Sequence, residues 1–310
     1  EEAFLSGLQQ LEGAVVVINA SPFLMGQPGR TWLSRLVEAV QAARPALLVL
    51  AEMYVGGMHY LETEPERWVG ELAGAPLLLR HECEPLLERL AAQLKAGRRP
   101  HDEIWDDPEP PPLEAAPAPA WDLLDMTATF ALLGRALGSS WRPGPIPAAP
   151  ARTLPLITAR GCPFGCVFCT SNPGINMPRA VRTIPLERVA AWVDGWITDL
   201  GLQRLVLLDE VPNLEAERFD SLLTLVEQRG LGLELPNGVR ADRLDQEQVR
   251  RLARLCTSLK VSLESASPRV QREVLDKRLD PASVSRVAAW CQQENLPLQV
   301  HCMVGIPGEE

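Results

Sequence analysis

From Leu154 to Val304, short apolar or β-rich runs alternate with helical patterns, and this alternation narrows the possible folds more than any other feature. The runs cover 154–158, 204–209, 232–236, 259–264 and 298–304. Runs this short and apolar suit strands buried on both faces. The helical patterns between them carry start signals: Ser267-Pro268 and Asp280-Pro281 each set an N-cap residue before a proline at the first helical position. In 244–256, Leu244, Val249, Leu252 and Leu255 fall on one side and Arg250, Arg251 and Arg254 on the other. Alternating β and α units imply right-handed crossovers and a parallel sheet. Periodicity leaves open whether that sheet closes into a barrel.

After the first run come three cysteines within eight residues, Cys162, Cys166 and Cys169. Gly161, Pro163 and Gly165 keep the backbone between them out of regular helix, so it can fold back around a centre. Thiolates select zinc, copper(I) or iron–sulfur, and three protein ligands leave one coordination position open for chemistry. A structural zinc site asks for a fourth Cys or His, and the next cysteine downstream is Cys256. Seven cysteines in a chain of 310 residues without a visible signal peptide suit a reducing compartment rather than a disulfide framework. Spacing alone favours iron–sulfur and keeps zinc as the alternative.

The N-terminal part also reads as α/β, with strands at 14–19 and 46–51 and helices at 31–43 and 85–95. A short apolar strand, a loop and a helix form the unit of nucleotide- and cofactor-binding folds. Composition changes near Gly97, where proline and acid set in; a second proline-rich stretch covers 141–155. With one amphipathic helix between them at 121–137, these stretches read as an interdomain connection. The expected division is a small Rossmann-like domain at 1–97, a linker at 98–153 and the cysteine domain at 154–310. The ends at Glu1 and Glu310 read as those of a fragment. A net charge of −10 argues against a general nucleic-acid binder, and no apolar run is long enough to span a bilayer. The expected location is the cytoplasm.

The Cys-x3-Cys-x2-Cys spacing resembles the signature of the radical S-adenosylmethionine (radical SAM) superfamily, and Phe168 fits the aromatic that usually precedes its last cysteine. The likeness covers about half the chain, from Leu154 to Glu310. It implies a partial (β/α)6 TIM-type barrel, here without its sixth strand, and a [4Fe–4S] cluster whose fourth iron is chelated by SAM. It further implies reductive cleavage of SAM, or use of SAM as a methyl source, and an electron donor such as flavodoxin or ferredoxin. An α/β domain ahead of the barrel, and Trp121-Asp-Leu-Leu-Asp125 ahead of the cysteines, resemble the subgroup that binds cobalamin. That subgroup implies methylation or a related radical transformation of a substrate the sequence does not reveal. The Asp-x-His-x-x-Gly motif of some cobalamin proteins is absent. A domain kept only for packing or substrate contact is the alternative, and a metal-binding module without SAM chemistry is the alternative for the whole chain.

Further site residues follow from where the family's strands end. Glu210 stands where the family commonly has Gly-Gly-Glu, whose acid holds the SAM amino group, although the glycines are missing here. Arg240, in Asn237-Gly-Val-Arg240, is expected at the SAM carboxylate or in a surface ion pair. Ser262 and Glu264 share one side of their strand by alternation, at the place where the family binds ribose. Gly305, Ile306 and Pro307, in the family's Gly-x-Pro-Gly-Glu ending, are expected beside the adenine. His301 and Cys302 read as packed strand residues, and Cys83, Cys256 and Cys291 as isolated ones.

Overall fold

The computed structural model describes residues 9–24, 26–54, 56, 61–131, 152–171 and 180–309, in two compact units divided between Pro111 and Pro112. The N-terminal unit is a four-stranded parallel sheet of β1 (Val15–Asn19), β2 (Leu47–Ala51), β3 (Leu77–Leu79) and β4 (Ile104–Trp105), neighbours in chain order. Helices α1 (Gln27–Ala42), α2 (Pro65–Glu71) and α3 (Glu84–Lys95) connect them. Leu33, Val37 and Val40 of α1 and Trp68 and Val69 of α2 pack with Leu48, Leu50 and Leu78, while Leu86 and Leu90 of α3 pack with Val49, Leu77 and Leu79. β2 and β3 therefore bury both faces, which is why they read as unbroken apolar runs, whereas β1 at the edge of the described sheet leaves Val15 and Val17 exposed. Chain order without reversal gives the described sheet no topological switch point of the doubly wound kind.

This unit extends past the change of composition at Gly97. Ile104 and Trp105 pair with Leu78 and Leu79, inside the stretch read as linker. Two residues suffice for an edge strand, which needs its ladder bonds on one side only. The next stretch belongs to the C-terminal unit, where Leu113 and Met126 are buried in the core and Trp121 meets Trp196 edge-on at 6.3 Å. A 3-10 turn covers Trp121–Leu123 and residues 126–131 are α-helical, while 132–137 of the expected helix, like most of the second proline-rich stretch, lie outside the described residues.

In the C-terminal unit, β5 (Thr153–Leu156) pairs with β8 (Arg204–Leu207) and β8 with β9 (Gly232–Glu234), all parallel. A parallel bridge from Val239 to Val261 carries the order on to β10 (Leu259–Glu264), which pairs in parallel with β11 (Leu298–Cys302). Helices α4 (Leu186–Leu200), α5 (Ala216–Gln228), α6 (Gln246–Leu255) and α7 (Pro281–Gln293) supply the crossovers. Asp245 caps α6 in a reciprocal capping box with Gln248, and Asp280 caps α7 by accepting from the Ala282 N–H. The start signal at Ser267 opens a π-helical turn, Val270–Val274, instead of a regular helix. His301 and Cys302 are exposed, contrary to the packed reading, because β11 is the edge of the described sheet. Among the described residues, no helix is long and apolar enough to cross a membrane.

Candidate active site

The cysteine segment leaves β5 through a short antiparallel hairpin, β6 (Ala159–Arg160) with β7 (Arg182–Thr183), which pins the base of the loop. Gly161 sits at φ +105°, and a Cβ there would lie 2.7 Å from the Ala180 carbonyl oxygen, so the turn into the loop admits only glycine. Thr158, at the head of the hairpin, is held at three atoms. Its N–H and its hydroxyl donate to the two oxygens of Asp209, each at 2.6 Å, while its carbonyl accepts from the Ile184 N–H at 2.8 Å and from Arg218 at 3.1 Å. Asp209, just beyond β8, is thus the anchor of the loop's base. Burial pushes its carboxyl up to about 6, against the bonds from Thr158 and the charge of Arg218.

A pH dependence follows with a definite sign. A carboxyl raised from 3.8 to about 6 favours the fold when protonated, so its contribution is full below 3.8 and is lost as pH rises through 6. Asp209→Asn keeps the shape and stays neutral. Its stability relative to the parent should therefore shrink by up to about 3 kcal/mol as pH falls from 7 to 4, measured by urea unfolding of both proteins. Parallel curves for the two proteins would contradict the account.

One cavity of about 200 Å³ gathers Cys162, Cys166, Cys169, Phe168, Glu210, Arg240, Ser262 and Glu264, with Phe164, Asn237 and Lys277. Burial pushes the Cys162 thiol up to about 12, and the nearby Cys169, Cys166 and Glu210 add to the rise. Cys166 is raised as well, chiefly by burial, against the pull of Lys277 and Arg240. Thiolates here are costly until a metal neutralises them, and a coordinating metal strips such a thiol of its proton. Among the described residues no three His, Cys, Asp or Glu side chains are grouped to hold a single metal ion. A multi-iron cluster makes a different demand, since each thiolate binds its own iron and the sulfurs stand wider apart than on one ion. Three thiols around one cavity fit that donor set.

Arg240 is accounted for mainly by protein. Its guanidinium makes a two-pronged pair with Asp242 at 2.9 and 3.0 Å and lies 3.8 Å from the centre of the Phe164 ring, inside the cysteine loop. The guanidinium is only 10% exposed while Asp242 is an exposed residue, so the pair lies at the protein surface with Arg240 turned inward against the cysteine loop. Glu264 has a partner the sequence did not disclose, Lys277, whose Nζ lies 3.0 Å from Oε1 and 5.9 Å from the centre of the Phe168 ring. The Val167 N–H donates to the Leu275 carbonyl at 3.0 Å, so the loop carrying Lys277 is tied to the cysteine loop. Asn237 donates to the Leu208 carbonyl at 2.8 Å and so fixes the end of β9 against β8.

Ser262 and Glu264 both line the cavity, but not by simple alternation. Ser262 pairs with His301 and Glu264 with Cys302, so Leu263 is the extra residue of a bulge and Glu264 takes φ +66°. Gly305, Ile306 and Pro307 are not among the cavity-lining residues. Ile306 is instead buried with Val270 and Leu275, beneath the π turn. Lys277 and Phe164 went unmarked in the sequence. An aromatic inside the cysteine motif was a usable signal for Phe164; a lone lysine in an irregular loop gave none.

The model of the radical SAM superfamily matches residues 156–310. A protein described as an uncharacterized methyltransferase, PH0819, from Pyrococcus horikoshii is 22% identical over 96% of this chain and 63% of its own length. Cytidylyl-2-hydroxyethylphosphonate methyltransferase from Streptomyces wedmorensis is 23% identical over 63% of this chain and 35% of its own. The chain thus spans less than two thirds of either relative. Among solved structures, the radical SAM methyltransferase TsrM from Kitasatospora setae, bound to tryptophan and a SAM analog, aligns over 99% of this chain and 60% of its own. The TM-score is 0.67 at 15% identity. The cobalamin-dependent radical SAM enzyme OxsB, bound to aqua-cobalamin and SAM, aligns over 99% of this chain and 44% of its own, with a TM-score of 0.62 at 14% identity. At these identities the likeness is one of fold.

Proposed function

Since the chain belongs to the radical SAM superfamily, we propose that its cavity holds a [4Fe–4S] cluster and S-adenosylmethionine, and that the protein is a methyltransferase or catalyses a related radical transformation with cobalamin as a further cofactor. One observation carries this reading: the three cysteines of a Cys-x3-Cys-x2-Cys loop share a single cavity with a buried carboxylate and a buried ammonium. When bound, the cluster and SAM supply one-electron cleavage of a carbon–sulfur bond or a transferable methyl group. The remaining tasks fall to the protein. Cys162, Cys166 and Cys169 would hold the cluster. Lys277 gives the cavity a desolvated cation suited to a carboxylate, and Glu264 an acceptor for hydroxyls. Glu210 faces the same space as a second acceptor for an ammonium, and Phe168 offers a ring face to a flat base.

A partial barrel is part of this reading. Its support is the order β5, β8, β9, β10, β11, in which each strand neighbours the next in the chain and the functional residues gather at strand ends. The N-terminal unit, as a small Rossmann-like domain, is the place for cobalamin. Its support is the likeness to TsrM and OxsB, whose structures include forms with cobalamin bound, and the residues that follow β3 and β4. There His81 Nε2 lies 2.8 Å from Asp106 Oδ1, a pairing that orients an imidazole as metal-binding histidines are oriented. Seven cysteines in a chain of 310 residues support a reducing compartment such as the cytoplasm, where an electron donor of the flavodoxin or ferredoxin kind is available.

The test is to incubate the protein anaerobically with hydroxocobalamin, desalt it, and then supply SAM and a reductant. Retained corrin absorption of about one equivalent, with loss of SAM, is expected. SAM consumed without any retained corrin removes cobalamin and leaves hydrogen abstraction as the chemistry.

A further inference from the structure

We propose that Gln271 is a positioning residue which sets both charges of the cavity, Glu264 and Lys277, for the ligand; the assignment rests on the reading of the cavity as the SAM site. The problem it solves is local. Glu264 ends β10 at a bulge with φ +66°, a left-handed conformation that a residue with a Cβ keeps only where the surroundings hold it. Gln271 is wholly buried and supplies that hold. Its side-chain Nε2 donates to the carbonyl oxygens of Leu263 and of Ser265, the second at 2.7 Å, and these two carbonyls flank Glu264. Its own main-chain carbonyl accepts from the Lys277 N–H at 2.9 Å. The π turn puts Gln271 in reach of both: the Leu275 N–H bonds to the Val270 carbonyl five residues back, at 2.9 Å. One side chain therefore fixes the backbone of Glu264, and the same residue's backbone fixes that of Lys277.

The chemistry of the site explains why an amide is required. Two carbonyls call for two N–H donors from one side chain, and the carboxamide provides them within a buried volume. Glutamate of nearly the same shape would turn a carboxylate oxygen toward both carbonyls, and methionine would leave both unsatisfied.

The experiment compares cluster-loaded wild type, Gln271→Met and Gln271→Glu, each alone and combined with Glu264→Gln. Iron content, thermal midpoint and the Kd for SAM are measured anaerobically. Iron content is expected to stay constant while Gln271→Met weakens SAM binding about 10- to 100-fold, the loss that unsatisfied buried acceptors would bring. In the Glu264→Gln background the same change should cost less than about 3-fold, because Gln271 acts through Glu264 and the two effects do not add. A residue that merely stabilises the fold would lower the thermal midpoint and add its effect independently. If Gln271→Met fails to fold, Gln271→Glu preserves the volume and carries the same comparison. Wild-type affinity in a folded, iron-loaded variant, or strictly additive effects, would overturn the assignment alone. Iron-loaded wild type that does not bind SAM would overturn it together with the reading of the cavity.

Discussion

Replacing Cys162, Cys166 and Cys169 together with alanine should reduce iron in the anaerobically reconstituted protein from about four atoms per chain to none. The broad visible absorption of the cluster should vanish with it. The three residues line one cavity, and among the described residues no other cysteine is placed there. The fold itself should survive the change. The loop carrying the three cysteines is held at its base by Thr158, Asp209 and the β6–β7 hairpin, and its far side by Arg240 on Phe164, and none of these contacts uses a thiol. Removing a buried thiol that burial had already raised to about 12 also removes no charge from the metal-free protein at neutral pH. The triple variant should therefore unfold at a urea concentration close to that of the metal-free parent. Iron bound at an undiminished level would show that the cluster is held elsewhere, and a collapse of stability would show that the thiols themselves hold the loop.

Lys277→Met should have the second largest effect, a loss of about 3–5 kcal/mol in unfolding free energy, because it leaves the Glu264 carboxylate buried and unpaired. The two side chains are only 9% and 10% exposed at a separation of 3.0 Å, so cavity water is a poor substitute for the missing ammonium. Adding Glu264→Gln to Lys277→Met should restore most of the loss, since the uncompensated charge is then gone. An isolated exposed pair would behave differently, with each single change costing under about 1 kcal/mol. Urea unfolding of the four proteins decides the matter. A Lys277→Met variant as stable as the parent would mean that the pair is solvated and that Glu264 is not held by it.

The parts of the fold that were legible in the sequence are those with an apolar run or an explicit start signal. β10 runs over the expected residues because its core positions, Leu259 and Val261, are interior, and α6 starts at an aspartate whose capping box is written in Asp245 and Gln248. Pro155 within β5 is consistent with an edge strand in the described sheet, where one side of the ladder is free. What escaped was short or irregular. β3 is three leucines behind a proline, β4 is two residues among acids and prolines, and α2 spans seven residues; no window of periodicity resolves elements so small.

In the site, spacing identified the cysteines, and strand ends identified Glu210, Arg240, Ser262 and Glu264, all of which meet in one cavity. The details that set their chemistry were not visible in one dimension. Alternation cannot foresee the extra residue Leu263, and nothing near Lys277 in the chain announces that a π turn will return it to Glu264. Gly305, Ile306 and Pro307 were placed by motif alone, and motif carries no information that Ile306 packs with Val270 and Leu275 at the π turn.

The most direct test of the central claim is electron paramagnetic resonance of the reconstituted, reduced protein before and after addition of SAM, with iron, sulfide and zinc counted on the same sample. About four irons and four sulfides per chain, and a reduced-cluster signal that changes when SAM binds its open iron, are the expected results. One tightly bound zinc with no iron uptake, or an iron–sulfur signal indifferent to SAM, would contradict it.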